Sequence, residues 1–189
     1  MARFLLISGA LGIVILGYYL GNLYKFGELD KLSAVVHKEP TQVTIDPALV
    51  SLDNQQQAGW RLYLVVDTTA NACTQVLDHY TSVYNRLAGT PKIQAALRLV
   101  TLPYNTDNKE HVGKWLAHRS FVTAFLGTEE SLEKLTADLG ILPLGNRWCK
   151  DTQATAALVD KEGYTRALIP FEEPATMAMN LRTIIQTFD

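Results

Sequence analysis

The chain of 189 residues carries 17 Lys and Arg against 19 Asp and Glu, a formal net charge of −2. With a pI near 6.1 it has no basic footprint for nucleic acid, which is excluded as a partner. It also has no Gly-rich phosphate loop and no GxSxG turn, so phosphoryl transfer and serine hydrolysis have no motif here.

Phe4 to Tyr24 contains no charged residue, and Arg3 and Lys25 bracket it. At about 1.5 Å of rise per residue, such a helix crosses the roughly 30 Å hydrocarbon core of a bilayer. A cleaved secretory signal has a shorter apolar stretch, about 7–15 residues, and a small-residue cleavage site. Leu23-Tyr24-Lys25-Phe26-Gly27 offers no such pair. Residues 1–24 are therefore expected to be an uncleaved transmembrane signal anchor, with Tyr18, Tyr19 and Tyr24 in the interfacial belt. Gly17 and Gly21 give a GxxxG spacing that lets two membrane helices approach, although glycine is common in such helices anyway. Charge does not orient the anchor, because Arg3 and the amino terminus oppose Lys25, Lys31 and Lys38. The very short leading tail favours an inner-membrane, single-pass protein whose C-terminal domain lies on the periplasmic side.

Residues 25–58 read as a polar spacer, ending in Asp53-Asn54-Gln55-Gln56-Gln57. The roughly 165 residues beyond the anchor suffice for one ordinary domain, expected over 59–189. Arg61 to Val66 is short, apolar and β-rich, as a buried central strand is. Thr74 to Ala88 sets Leu77, Tyr80, Tyr84 and Leu87 on one helical face, and Gly89 and Pro91 stop it. Ala96 to Leu102 is a second strand, ending at Pro103.

Asp107 and Glu110 form a capping-box pattern for a helix that buries Val112, Trp115 and Leu116. Phe121 to Leu126 is a third apolar run. Thr128 is placed to cap the next helix, with Glu129 and Glu130 where the macrodipole favours anions. That helix presents Leu132, Leu135 and Leu139 and stops at Gly140. Thr155 to Val159 and Tyr164 to Ile169 flank Asp160-Lys161-Glu162-Gly163, a hairpin signal. A last helix from Pro174 presents Met177, Leu181, Ile184 and Phe188. The order β-α-β-α-β-α-β-β-α predicts an α/β domain, a mixed sheet with helices on both faces.

This order and several local strings resemble the Sco/SenC family, membrane-anchored thioredoxin-fold proteins that help load copper into cytochrome oxidase. Arg61-Leu62-Tyr63-Leu64-Val65-Val66 stands as the first strand, and Cys73 as the second cysteine of the family's CxxxC turn. Val100-Thr101-Leu102-Pro103 takes the place of a VSxDP-like segment. Gly127-Thr128-Glu129-Glu130-Ser131-Leu132 is similar to the helix entry. Asp151-Thr152 through Leu158-Val159-Asp160-Lys161-Glu162-Gly163 is similar to the family hairpin. The resemblance implies a thioredoxin-like mixed sheet flanked by helices, behind one transmembrane helix.

It also implies a copper site of two thiolates and an imidazole, a soft ligand set. Thr69 stands where the first cysteine belongs and Thr152 where the histidine belongs. Threonine is a poor copper ligand, so of the implied set Cys73 alone remains. No metal and no cofactor is expected, copper included.

Cys73 and Cys149 are the chain's two cysteines. Three readings stand open: two small buried hydrophobes, a structural disulfide in an oxidising compartment, or a relocated copper or redox site. His37, His79, His111 and His118 do not complete a ligand set; His111 and His118 lack the i,i+4 spacing that converges on one ion. Asp67, Asn71 and Asp151 are candidates for the mouth of the implied site, although polar residues are the ordinary expectation at any loop rim.

The leading expectation is a non-enzymatic Sco-like accessory protein of respiratory cytochrome oxidase biogenesis. Its partners would be the bilayer, through the N-terminal helix, and cytochrome oxidase subunits or assembly factors. The alternatives are a catalytically silent thioredoxin-like module of another envelope complex, or a thiol-disulfide or copper-handling protein using Cys73 and Cys149.

Overall fold

A computed structural model describes residues 2–52, 59–67, 71–103, 109–117, 119–141 and 155–189; the side chains of 2–9, 22, 25, 71, 109, 111 and 115 lie outside the description. Helix α1 (Ala2–Leu29) leads into β1 (Val35–Gln42) and β2 (Val50–Ser51). Next come β3 (Trp60–Val66), α2 (Asn71–Arg86), α3 (Pro91–Ala96) and β4 (Leu97–Pro103). They are followed by α4 (Lys109–Leu116), β5 (Val122–Leu126) and α5 (Glu129–Asp138). The chain ends with β6 (Ala156–Val159), β7 (Tyr164–Ile169) and α6 (Pro174–Phe188).

Among the described residues the strands form one sheet in the order β1-β7-β6-β3-β4-β5-β2. Strands β3, β4 and β5 are parallel, as helical crossovers require, and β6 runs antiparallel to β3. Every residue of β3 is buried, which is why it reads as a continuous apolar run. Its side chains alternate: Leu62, Leu64 and Val66 join one core with Leu77, Tyr80, Met177 and Leu181, whereas Tyr63 and Val65 join another with Leu132, Leu135 and Leu139. Helices α2 and α6 thus cover one face and α5 the other, the expected α/β layering.

The local stop signals hold. Thr128 Oγ1 accepts the Ser131 N–H at 3.3 Å, capping α5. Gly140, at φ +73°, ends it, and the Ile141 N–H closes back onto the Thr136 carbonyl at 2.9 Å. Gly163, at φ +90°, makes the expected β6–β7 hairpin turn.

Residues 25–58 differ from the spacer reading. Strand β1 pairs with β7 and β2 with β5, so this stretch supplies both edges of the sheet. Leu29 and Ala34 enter the core beside Cys73 and Leu77. Pro91 differs too: rather than only ending a helix, it starts α3, where its missing N–H costs nothing.

Among the described residues no helix is long and apolar enough to cross a membrane. Helix α1 nonetheless projects Leu11, Ile13, Val14, Leu16, Tyr18 and Leu20 into solvent, along with others of the same kind.

Candidate functional site

Strand β3 ends at Val66, and the chain turns through Asp67 into α2, whose third residue is Cys73. This is the carboxyl end of the parallel strands, where open α/β sheets present their ligand sites. Cys73 is fully buried, and its Sγ accepts the Asp67 N–H at 3.0 Å. The same sulfur takes part in a disulfide. Among the described residues no cysteine is free. A sulfur so engaged offers no thiolate, and the thiolate is the form that attacks disulfides and binds metals.

Thr69, Thr152, Cys149 and Asp151 lie outside the described residues, as does the side chain of Asn71. Of the residues singled out by sequence, the structure therefore brings Asp67 and Cys73 together. Among the described residues no three His, Cys, Asp or Glu side chains converge as a metal ion would need. The one described cysteine sulfur is held in a disulfide and in that state is not a thiolate ligand.

His79 is engaged outside the turn. It packs on Phe171 with ring centroids 4.3 Å apart, and its Nε2 bonds the Glu172 carbonyl at 2.6 Å. Beneath the site, burial pushes the Tyr80 phenol above its ordinary range.

Sequence reasoning missed a polar chain at this end. Asn180, fully buried on α6, donates through Nδ2 to Ser33 Oγ at 2.7 Å, and Ser33 donates to Glu172 Oε2 at 2.6 Å. The signal was present: Asn180 interrupts the apolar face of Met177, Leu181 and Ile184, and a buried amide needs partners.

A cavity of about 660 Å³ opens at the opposite end of the sheet, lined by Tyr84, Arg98, Leu116, Phe121 and Thr123 among others. Its wall includes a Tyr84–Phe121 stack at 3.9 Å. Cys73 does not line it.

No family model and no curated protein matches the chain. Solved structures do. Copper-bound ScoI of Arabidopsis thaliana is similar at TM-score 0.60 and 10% identity, over 78% of this chain and 98% of that one. Copper-bound yeast Sco1 is similar at TM-score 0.59 and 12% identity, over 80% of this chain and 92% of the other. The chain has the Sco fold. BsSco, described as a member of the Sco family of cytochrome c oxidase assembly proteins, shares it at TM-score 0.56 and 14% identity, over 79% of this chain and 98% of its own. At such identities the likeness is one of architecture, and the Sco fold by itself assigns no ligand to this chain.

Proposed function

We propose that this protein is a membrane-anchored, Sco-like accessory factor of respiratory cytochrome oxidase biogenesis, acting by protein–protein binding without a resident copper ion. One observation carries the reading: in a Sco fold, Cys73 stands at the site turn with its sulfur buried and locked in a disulfide. While that bond is intact the domain offers no thiolate as nucleophile or soft ligand, and the full burial of Cys73 withholds the bond from a reducing partner. What the domain retains is a folded surface at a membrane, and oxidase subunits or assembly factors are the partners that surface serves.

The sequence holds one cysteine besides Cys73, Cys149, and the fully buried Cys73 sulfur is not reachable by a second molecule; both support the reading of a structural disulfide within the chain. A disulfide is at home in an oxidising compartment, and this supports the reading of a domain on the periplasmic side of the inner membrane. Helix α1 is the anchor: Leu11, Ile13, Val14, Ile15, Leu16, Tyr18, Tyr19 and Leu20 are each more than half exposed, the distribution of a helix whose solvent is lipid.

The test is a deletion strain grown at limiting copper. Less assembled oxidase, read from its haem absorbance and activity, is the expected result. Oxidase equal to that of the parent strain contradicts the reading.

A further inference from the structure

The register of the sheet fixes which end of the domain the anchor enters. Strand β3 runs up to Val66 and the Cys73 turn. Antiparallel pairing sets Tyr63 level with Ala157, and Ala157 level with Leu168. Strand β1 pairs Val35 with Leu168 and, at its far end, Gln42 with Tyr164. Chain entry at Val35 is therefore at the same end of the sheet as Cys73. The Asp160–Gly163 hairpin lies at the other end, below Tyr164.

The joint itself is packed. Leu29, the last residue of α1, is 6% exposed and shares a core with Cys73 and Met177. Leu32 N–H closes onto the Leu29 carbonyl at 3.2 Å, and Ala34 is buried. Between them, Ser33 is held by Asn180 of α6 and in turn holds Glu172, which precedes α6. The fully buried Asn180 gives this junction a directional contact that apolar packing lacks. Before Glu28, the described side chains of α1 from Ala10 onward are exposed, so the helix leaves the domain at this point.

The spacing is short. If the apolar run ending at Tyr24 fills the hydrocarbon core, the four residues 25–28 rise about 6 Å, roughly one headgroup layer. Nothing of spacer length intervenes before Leu29 enters the core.

We propose that the Cys73 end of the domain is a lipid-facing surface, held against the headgroup layer by a rigid joint built on Ser33, Asn180 and Glu172. The proposal rests on the reading of α1 as a membrane anchor. The joint, not charge attraction, sets the contact: among the described residues this end carries Glu28, Asp30, Asp67, Glu129, Glu130, Glu172 and Glu173, and its Lys31 is paired with Glu28. The consequence is that the Cys73 turn meets partners at the membrane surface, while the hairpin end points to the aqueous side.

The full chain is reconstituted into phosphatidylcholine vesicles bearing a headgroup nitroxide quencher. One fluorophore is attached at a time, through Ala175→Cys at the start of α6 or Glu162→Cys in the hairpin; both positions are exposed. The two differ in height by about the length of a six-residue strand, roughly 20 Å. Several-fold stronger quenching at 175 than at 162 is expected, with Ser33→Ala lowering that ratio toward one while vesicle flotation is unchanged. A chain that does not float overturns the anchor reading and this inference with it. A chain that floats with both labels quenched alike overturns this inference alone. An unchanged ratio in Ser33→Ala overturns the role given to the joint.

Discussion

The two ends of the sheet are stabilised by different chemistry. At the hairpin end, Asp160 is 2% exposed and fully engaged. Its Oδ1 accepts the N–H groups of Glu162 and Tyr164 at 3.0 and 2.9 Å, and its Oδ2 accepts Arg166 Nε at 2.5 Å. Arg61 donates to its carbonyl at 3.5 Å, and Arg166 lies over the Phe188 ring at 5.0 Å. At the Cys73 end, the Asp67 N–H donates to the Cys73 sulfur, that sulfur is also covalently bonded, and Ser33 links Asn180 to Glu172 nearby. The hairpin keeps the polar contacts that hold a strand pair in register, whereas the site turn is closed by oxidation.

The largest expected effect lies at the hairpin. Asp160→Ala leaves Arg166 beside a vacated, buried position and is expected to cost about 3–5 kcal/mol in urea unfolding. A loss below about 1 kcal/mol would make the hairpin network incidental. Cys73→Ser comes next, at about 2–4 kcal/mol, and reduction of the wild-type protein should reproduce most of it. Because the two sites sit at opposite ends, the double variant should add to within about 0.5 kcal/mol. Coupling well beyond that would mean the ends are not independent.

Smaller effects sharpen the same contrast. Gly163→Ala forces a side chain to φ +90° and should cost about 1–3 kcal/mol. Thr128→Ala, removing the α5 cap, should cost about 1 kcal/mol.

The smallest effect is at the carboxyl terminus. A hydrogen bond from Lys161 holds the Asp189 carboxyl below the usual carboxylate range. A depressed pKa stabilises the fold above the unfolded pKa and loses that contribution as pH falls through the folded one. Both groups are exposed, so Lys161→Ala should leave the unfolding midpoint at pH 7 unchanged within error, and also below pH 3.

The same contrast explains what the sequence discloses. Hairpin, cap and buried strand are legible because their signals are local: Asp160 to Gly163 in one turn, Thr128 three residues before the amide it caps, β3 in one apolar run. Strands β1 and β2 are not legible. An edge strand such as Val35–Gln42 is partly exposed throughout and carries Lys38, Glu39 and Pro40, which discourage pairing with other chains and read as loop. Its register also shifts between Val36 and Thr41, breaking any period-two pattern. At the site, Cys73 was legible through the strand that precedes it. The bonds of Ser33 to Glu172 and Asn180 join residues 139 and 147 positions apart, a relation that spacing does not encode.

The proposed function turns on the Cys73 sulfur, which is held in a disulfide and so withheld from a metal. Its most direct test is Cu(I) titration of the full chain in detergent, disulfide intact, against a chromophoric chelator of known affinity. The account predicts no stoichiometric transfer of copper to the protein. Transfer of one equivalent, abolished by Cys73→Ser, would contradict it.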